Sequence, residues 1–129
     1  MPTEKRKFGD IGEKIACNFL KDRGYSVLET NYQKRVGEID IIAKLNDSLR
    51  FIEVKTRTNF SNKKYGAPQE SVNYHKQKRL IKTALFYLLE NKYPDNINWQ
   101  IDVMAITINK DKKTAKINYI ENAVDYDSL

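Results

Sequence analysis

A single cysteine, a single histidine, three prolines and one tryptophan are spread over 129 residues. Cys17 alone excludes an internal disulfide and any CxxC metal knuckle. Its setting in a helical apolar pattern marks it as a buried structural thiol. His75 alone excludes a multi-histidine zinc site within one chain. With no GxSxG nucleophile elbow beside it, a Ser-His-Asp or Cys-His apparatus has no support. No run approaches the roughly 18 apolar residues of a membrane span. The basic start, Met1 to Phe8, leads into no apolar stretch, so a signal peptide is not expected and the cytoplasm is. Any chemistry must rest on carboxylates and lysines.

Hydrophobic residues make up 40% and charged residues 31%, with a mean hydropathy of -0.68, the balance of a soluble globular chain. The length fits one domain over 1–129, with a core at about 8–120 and an acidic tail at 121–129. The net charge is +6 and the pI about 9.3. Between Glu53 and Lys82 stand eight basic residues against two acids, while the rest of the chain is balanced, so the whole excess sits in one stretch. Such clustering suits a polyanion, nucleic acid above all, or else a lysine-rich solvated helix.

Phe8, Ile11, Ile15 and Phe19, flanked by Ala16 and Leu20, predict a first helix over about 9–23 that Gly24 stops. Short strands follow at about 25–30, 37–43 and 49–57, the last two joined by a turn at Asn46-Asp47. A polar loop (58–69) precedes a helix over about 70–91 whose stripe would use Val72, Leu80, Ala84, Leu85, Leu88 and Leu89. Pro94 blocks its continuation. The apolar run 99–108 is the candidate for the sheet centre. A last strand at about 117–120 precedes a tail, 121–129, expected to fray. The order α-β-β-β-α-β-β defines an α/β fold with a mixed central sheet flanked by helices.

A two-residue turn at Asn46-Asp47 sets Asp40 opposite Glu53 and Glu38 opposite Lys55. Directly opposed side chains lie about 4.5–5.5 Å apart at Cβ, and like charges there repel. A divalent cation, with Lys55 on the same face, would compensate them. Mg²⁺ or Mn²⁺ takes oxygen ligands, here Asp40, Glu53 and the Val54 backbone carbonyl. Such an ion activates water and stabilises phosphoryl charge, and a neighbouring lysine can orient that water or take its proton. The alternative is a surface charge ladder of Glu38, Asp40, Glu53 and Lys55.

Asp40, Glu53 and Lys55, with strands before and a helix after, resemble the PD-(D/E)xK nuclease superfamily, which includes archaeal Holliday-junction resolvases and many restriction enzymes. More narrowly, Gly9-Asp-Ile-Gly-Glu13, Ala16, Leu20, Gly24-Tyr25, Asn31, Gly37-Glu-Ile-Asp40, Phe51-Ile-Glu-Val-Lys-Thr-Arg57, Gly66, Val72 and Lys76 are similar to the bacterial YraN-like family. The likeness covers about residues 8–106. It implies a restriction endonuclease-like fold and hydrolysis of phosphodiester bonds in DNA, branched or structured DNA in particular, with DNA expected ahead of RNA. It also implies metal ligation by Asp40 and Glu53, catalysis by Lys55 and an assisting acid at Glu13, which is otherwise an ordinary first-turn acid. Ile39 replaces the superfamily's proline, and Glu38 stands beside Asp40 as a second possible ligand.

Arg57, Lys63 and Lys64, and on the helix Lys76, Arg79 and Lys82 at i, i+3 and i+6, would contact phosphates. Tyr65 or Phe60 would stack on an unpaired base. Nothing supplies base-edge readout, so shape is the expected preference. Work on two strands would call for a homodimer. The rival readings are a non-catalytic nucleic-acid-binding module and a protein-interaction domain.

Overall fold

In the computed structural model, residues 4–58 and 73–124 are described, with side chains from Arg6 onward. The elements are α1 (Glu4–Asp22), β1 (Ser26–Lys34), β2 (Gly37–Leu45), β3 (Ser48–Thr58), α2 (Tyr74–Glu90), β4 (Asn98–Asn109) and β5 (Thr114–Ile120). The five strands form one sheet in the order β1-β2-β3-β4-β5, antiparallel except for the parallel β3–β4 pair. The mixed α/β order expected from the sequence is the one observed. No helix is long and apolar enough to cross a membrane among the described residues.

The two helices cover opposite faces. Leu80, Ala84, Tyr87 and Leu88 of α2 pack with Ile39, Ile42, Leu49, Phe51, Ile101 and Val103. Ala16 and Leu20 of α1 pack with Ile41, Ala43, Ile52, Met104 and Ile106. Strands buried on both faces read as continuous apolar runs, which is why Ile41-Ile42-Ala43 and 101–106 lack clean alternation. Each such aliphatic side chain contributes about 1.5–3 kcal/mol on burial.

Local signals act where expected. Gly24 adopts φ +86, and the Gly24 and Tyr25 amides donate to the Lys21 and Leu20 carbonyls, closing α1. Leu45 pairs with Ser48 across the Asn46-Asp47 turn. Asn73 caps α2, its side chain accepting from the Lys76 amide at 2.9 Å.

Several expectations change. The α2 stripe is Leu80, Ile81, Ala84, Tyr87 and Leu88, whereas Leu85 and Leu89 are exposed, because Tyr87 turns inward to meet Phe51 and Tyr32 edge-on. Val72 lies outside the described residues. The α1 face is rotated: Gly12, Ala16 and Leu20 form its inner line and Ile11 is exposed. A Cβ on Gly12 would collide with Thr56 Oγ1, so only glycine lets α1 approach β3 this closely. Cys17 is half-buried. The central strand is β3, not β4. The strand read as 25–30 runs on to Lys34, as an exposed edge strand whose polar residues hid it.

The start of the tail is tied down rather than frayed. The Ala123 amide donates to Ile101 O at 2.8 Å, the Asn122 amide to Asp102 Oδ1 at 2.8 Å, and Val124 is buried.

Candidate active site

The β2–β3 ladder runs from Leu45↔Ser48 to Ile41↔Ile52 and ends one step before Asp40 and Glu53. There the Asp40 carboxylate replaces a backbone acceptor: Val54 N–H donates to Asp40 Oδ2 at 2.7 Å. Across β2, Asn31 of β1 takes the left-handed conformation, φ 53, at the position facing Asp40. Asparagine tolerates that conformation better than most residues. The two strands therefore part at the acids.

This parting overturns the simple face-to-face arrangement. Glu38 does not oppose Lys55. It pairs with Gln33 of β1, whose amide donates to Glu38 Oε2 at 3.2 Å, while Lys55 pairs with Ala105 of β4. Asp40 borders a concavity on the α1 side, with Glu13, Asn31, Val54 and Thr56. Glu53 borders a groove on the α2 side, with Lys76 and Arg79. Gln33 and Glu38 line both hollows.

Glu53 is nearly buried, and one oxygen holds two ammonium groups: Oε1 is 2.9 Å from Lys76 Nζ and 3.5 Å from Lys55 Nζ. Burial, and then Lys76 beside it, lowers the Lys55 pKa against the attraction of Glu53. Burial also works against the charge on Lys76, yet its pKa is raised, because Glu53 at 2.9 Å and the charge of Asp40 favour the ammonium. Asp40 is pushed up to about 7, first by burial and then by the charge of Glu53, with smaller pushes from Glu13 and Glu38 and an opposing pull from the Val54 amide. Glu13 is raised by burial and then by Asp10, while Asn31 Nδ2 donates to its Oε1 at 2.9 Å and opposes the rise.

Glu13 and Asp40 thus meet in one hollow, and Glu53, Lys55 and Lys76 in another contact. Among the described residues no group of three or more His, Cys, Asp and Glu side chains is arranged to hold a metal ion. Arg79 is exposed on the groove wall, Lys82 is exposed on α2, and Arg57 is half-buried on β3. Lys63, Lys64, Phe60, Tyr65 and Gly66 lie outside the described residues. Sequence reasoning gave Asn31 no role, and missed Gln33 and Lys34, because the strand that carries them was cut short. The left-handed Asn31 had no signal beyond its residue type.

A five-stranded mixed sheet between two helices, with Asp40 and the Glu53-Val54-Lys55 segment at the point where two strands part, is a restriction endonuclease-like domain. Residues 12–106 match the family model described as "Uncharacterised protein family UPF0102". The chain is 44% identical over 118 residues to a UPF0102 protein of Alkaliphilus oremlandii, covering 92% of this chain and 97% of the relative. It is 38% identical over 122 residues to one from Caldanaerobacter subterraneus (94% and 97% covered). A Clostridioides difficile relative is 42% identical over 115 residues (89% and 94% covered). The chain belongs to the UPF0102, or YraN-like, family, within the restriction endonuclease-like superfamily.

Proposed function

We propose that this protein is a Mg²⁺- or Mn²⁺-dependent endonuclease that hydrolyses phosphodiester bonds in DNA, branched or structured DNA in particular. What carries the reading is the meeting of acids at the parted strands: Asp40, raised to about 7 first by burial and then by the charge of Glu53, stands near enough to feel that charge, and Lys55 lies beside Glu53. Two carboxylates that destabilise each other fit a site completed by a cation. Mg²⁺ commonly takes one or two carboxylates, waters and substrate phosphate rather than a full protein cage, and that sparse donor set is what these residues offer.

Asp40 and Glu53 would hold the ion, which when bound neutralises phosphoryl charge and makes its water more acidic. The Val54 N–H fixes Asp40. Lys55, anchored on Glu53, orients the attacking water and stabilises charge on the phosphoryl oxygens. Burial lowers its pKa, which favours the neutral amine, the form that could accept a proton from that water. Glu13, held by Asn31, adds an acid on the other side of Asp40. Lys76 and Arg79 offer positive charge to the backbone along α2.

The test incubates flapped and branched DNA with Mg²⁺ or Mn²⁺ and wild type, Asp40→Ala or Lys55→Ala. Cleavage by wild type that both substitutions abolish supports the reading. Cleavage that survives both defeats it. Salt-sensitive binding without cutting would instead favour the non-catalytic nucleic-acid-binding module, and no salt-sensitive binding would leave a protein-interaction domain.

A further inference from the structure

The groove on the α2 side is larger and chemically more varied than a phosphate contact needs. It encloses about 510 Å³, and its lining includes Gln33, Lys34, Glu38, Glu53, Lys76 and Arg79. Cavities of roughly 300–1,000 Å³ take a small ligand, several times the bulk of one phosphate group. Lys76 and Arg79 stand on the α2 wall. Lys34 stands on the β1 wall, its Nζ 3.5 Å from Glu90 Oε2. The floor includes Leu80, 4% exposed. Gly37 lines the groove without a side chain, and a Cβ there would stand 2.6 Å from Thr83 Oγ1, which keeps the turn tight against α2.

The charges decide what the groove suits. Cations alone would fit a run of phosphates, but Glu38 and Glu53 share the lining with them. A phosphodiester has no hydrogen-bond donor to offer Glu38 and is repelled by it, whereas every nucleobase carries N–H donors. Gln33, bonded to Glu38 at 3.2 Å, adds amide groups of its own beside that carboxylate. A paired base exposes its edge only at the bottom of a groove, where projecting side chains reach it and a recess cannot. A base seated here must be out of the helix.

We infer that this groove is a subsite for one unpaired nucleotide next to the scissile bond, with Gln33 and Glu38 taking the base and Arg79 and Lys34 the phosphate. This rests on the nuclease reading for its place beside the bond that is cut. It names the substrate class as DNA with a nucleotide outside the duplex at the cleavage point. Of the basic ridge on α2, Lys76 and Arg79 belong to the subsite and Lys82 does not.

Binding is measured by fluorescence anisotropy in EDTA, on a short duplex, the same duplex with a three-nucleotide flap, and that flap with its bases removed. Wild type binds the flap about tenfold more tightly than the duplex. Removing the bases cuts that preference to about twofold, and Gln33→Ala and Arg79→Ala each reduce it to about threefold or less. Equal binding of duplex and flap overturns the subsite, as does an abasic flap bound as well as the intact one. Should either variant fail to fold, judged by circular dichroism, the abasic comparison on wild type still decides. Cleavage with Mn²⁺ is followed on the same DNAs. Discrimination without cleavage sinks the nuclease reading and leaves the subsite standing, and cleavage without discrimination does the reverse.

Discussion

Asp40 on β2 and Asp102 on β4 are both carboxylates withdrawn from solvent, and the fold treats them in opposite ways. Asp102 is fully buried and surrounded by donors: Gln100 Nε2 at 2.8 Å, the Asn122 amide at 2.8 Å, Arg50 Nη1 at 3.3 Å and the Tyr119 hydroxyl. Arg50 extends the network to Glu121 at 2.7 Å, and its own pKa is raised, since these acidic partners outweigh burial. Asp40 has the Val54 amide, but Glu53, Glu13 and Glu38 press on it with like charge. A buried acid supplied with donors and a cation ties segments together, here β3, β4 and the chain after β5. A half-buried acid facing other acids weakens the fold and marks a place kept for a ligand.

The contrast can be broken most sharply at Asp102. Asp102→Ala leaves Arg50 without its buried partner and should cost about 3–5 kcal/mol of unfolding free energy, read from urea titration. A loss below about 1 kcal/mol would mean that the network does not hold the C-terminal segment. Asp40→Asn should do the opposite, raising stability by about 1–3 kcal/mol at pH 8 in EDTA while abolishing any cleavage. The sign follows from proton binding. Asp40 holds its proton more tightly folded, about 7 against 3.8, so its contribution is fully present below pH 3.8 and lost as pH rises through about 7. Wild type should therefore lose more stability than Asp40→Asn between pH 5 and pH 8, and parallel profiles would remove Asp40 as a strained group.

Mn²⁺ should sharpen the difference further. At about one hundred times its dissociation constant it adds about 2.7 kcal/mol to wild type. It should add nothing to Asp40→Asn while stabilising Asp102→Asn as it does wild type, measured by thermal shift. The smallest effect belongs to Glu121→Ala, whose side chain is more than half exposed beside Arg50. A cost under about 1 kcal/mol is expected there, and a larger one would show that the rim of the Asp102 network matters as much as its centre.

The residues that could be placed from sequence are those governed by local rules. The Asn46-Asp47 turn set the β2–β3 register, and that register brings Asp40 and Glu53 to the same end of the hairpin. Gly24 closed the first helix by its own φ. What escaped involved partners distant in the chain or departures from regular geometry. Lys76 reaches Glu53 only because α2 packs back over the sheet. Asn31 faces Asp40 in a left-handed conformation that alternation does not encode. Arg50 meets Glu121 from 71 residues away. The edge strand β1 was read too short because its outward residues are polar, and with it went Gln33 and Lys34.

By itself the sequence determined which residue types were at hand and how short segments would fold. It supplied carboxylates and lysines in place of histidine and cysteine, a basic stretch, two helices and five strands in order. Turn chemistry, helix stops and apolar periodicity act over a few residues, so they are written in the chain directly. Only the tertiary structure decided that the hairpin opens at Asp40, that Glu53 receives a second lysine from a helix later in the chain, and that Asp102 is satisfied while Asp40 is not. Those outcomes depend on desolvation and on charges brought together by packing, whose energies exist only once distant segments share one low-dielectric space.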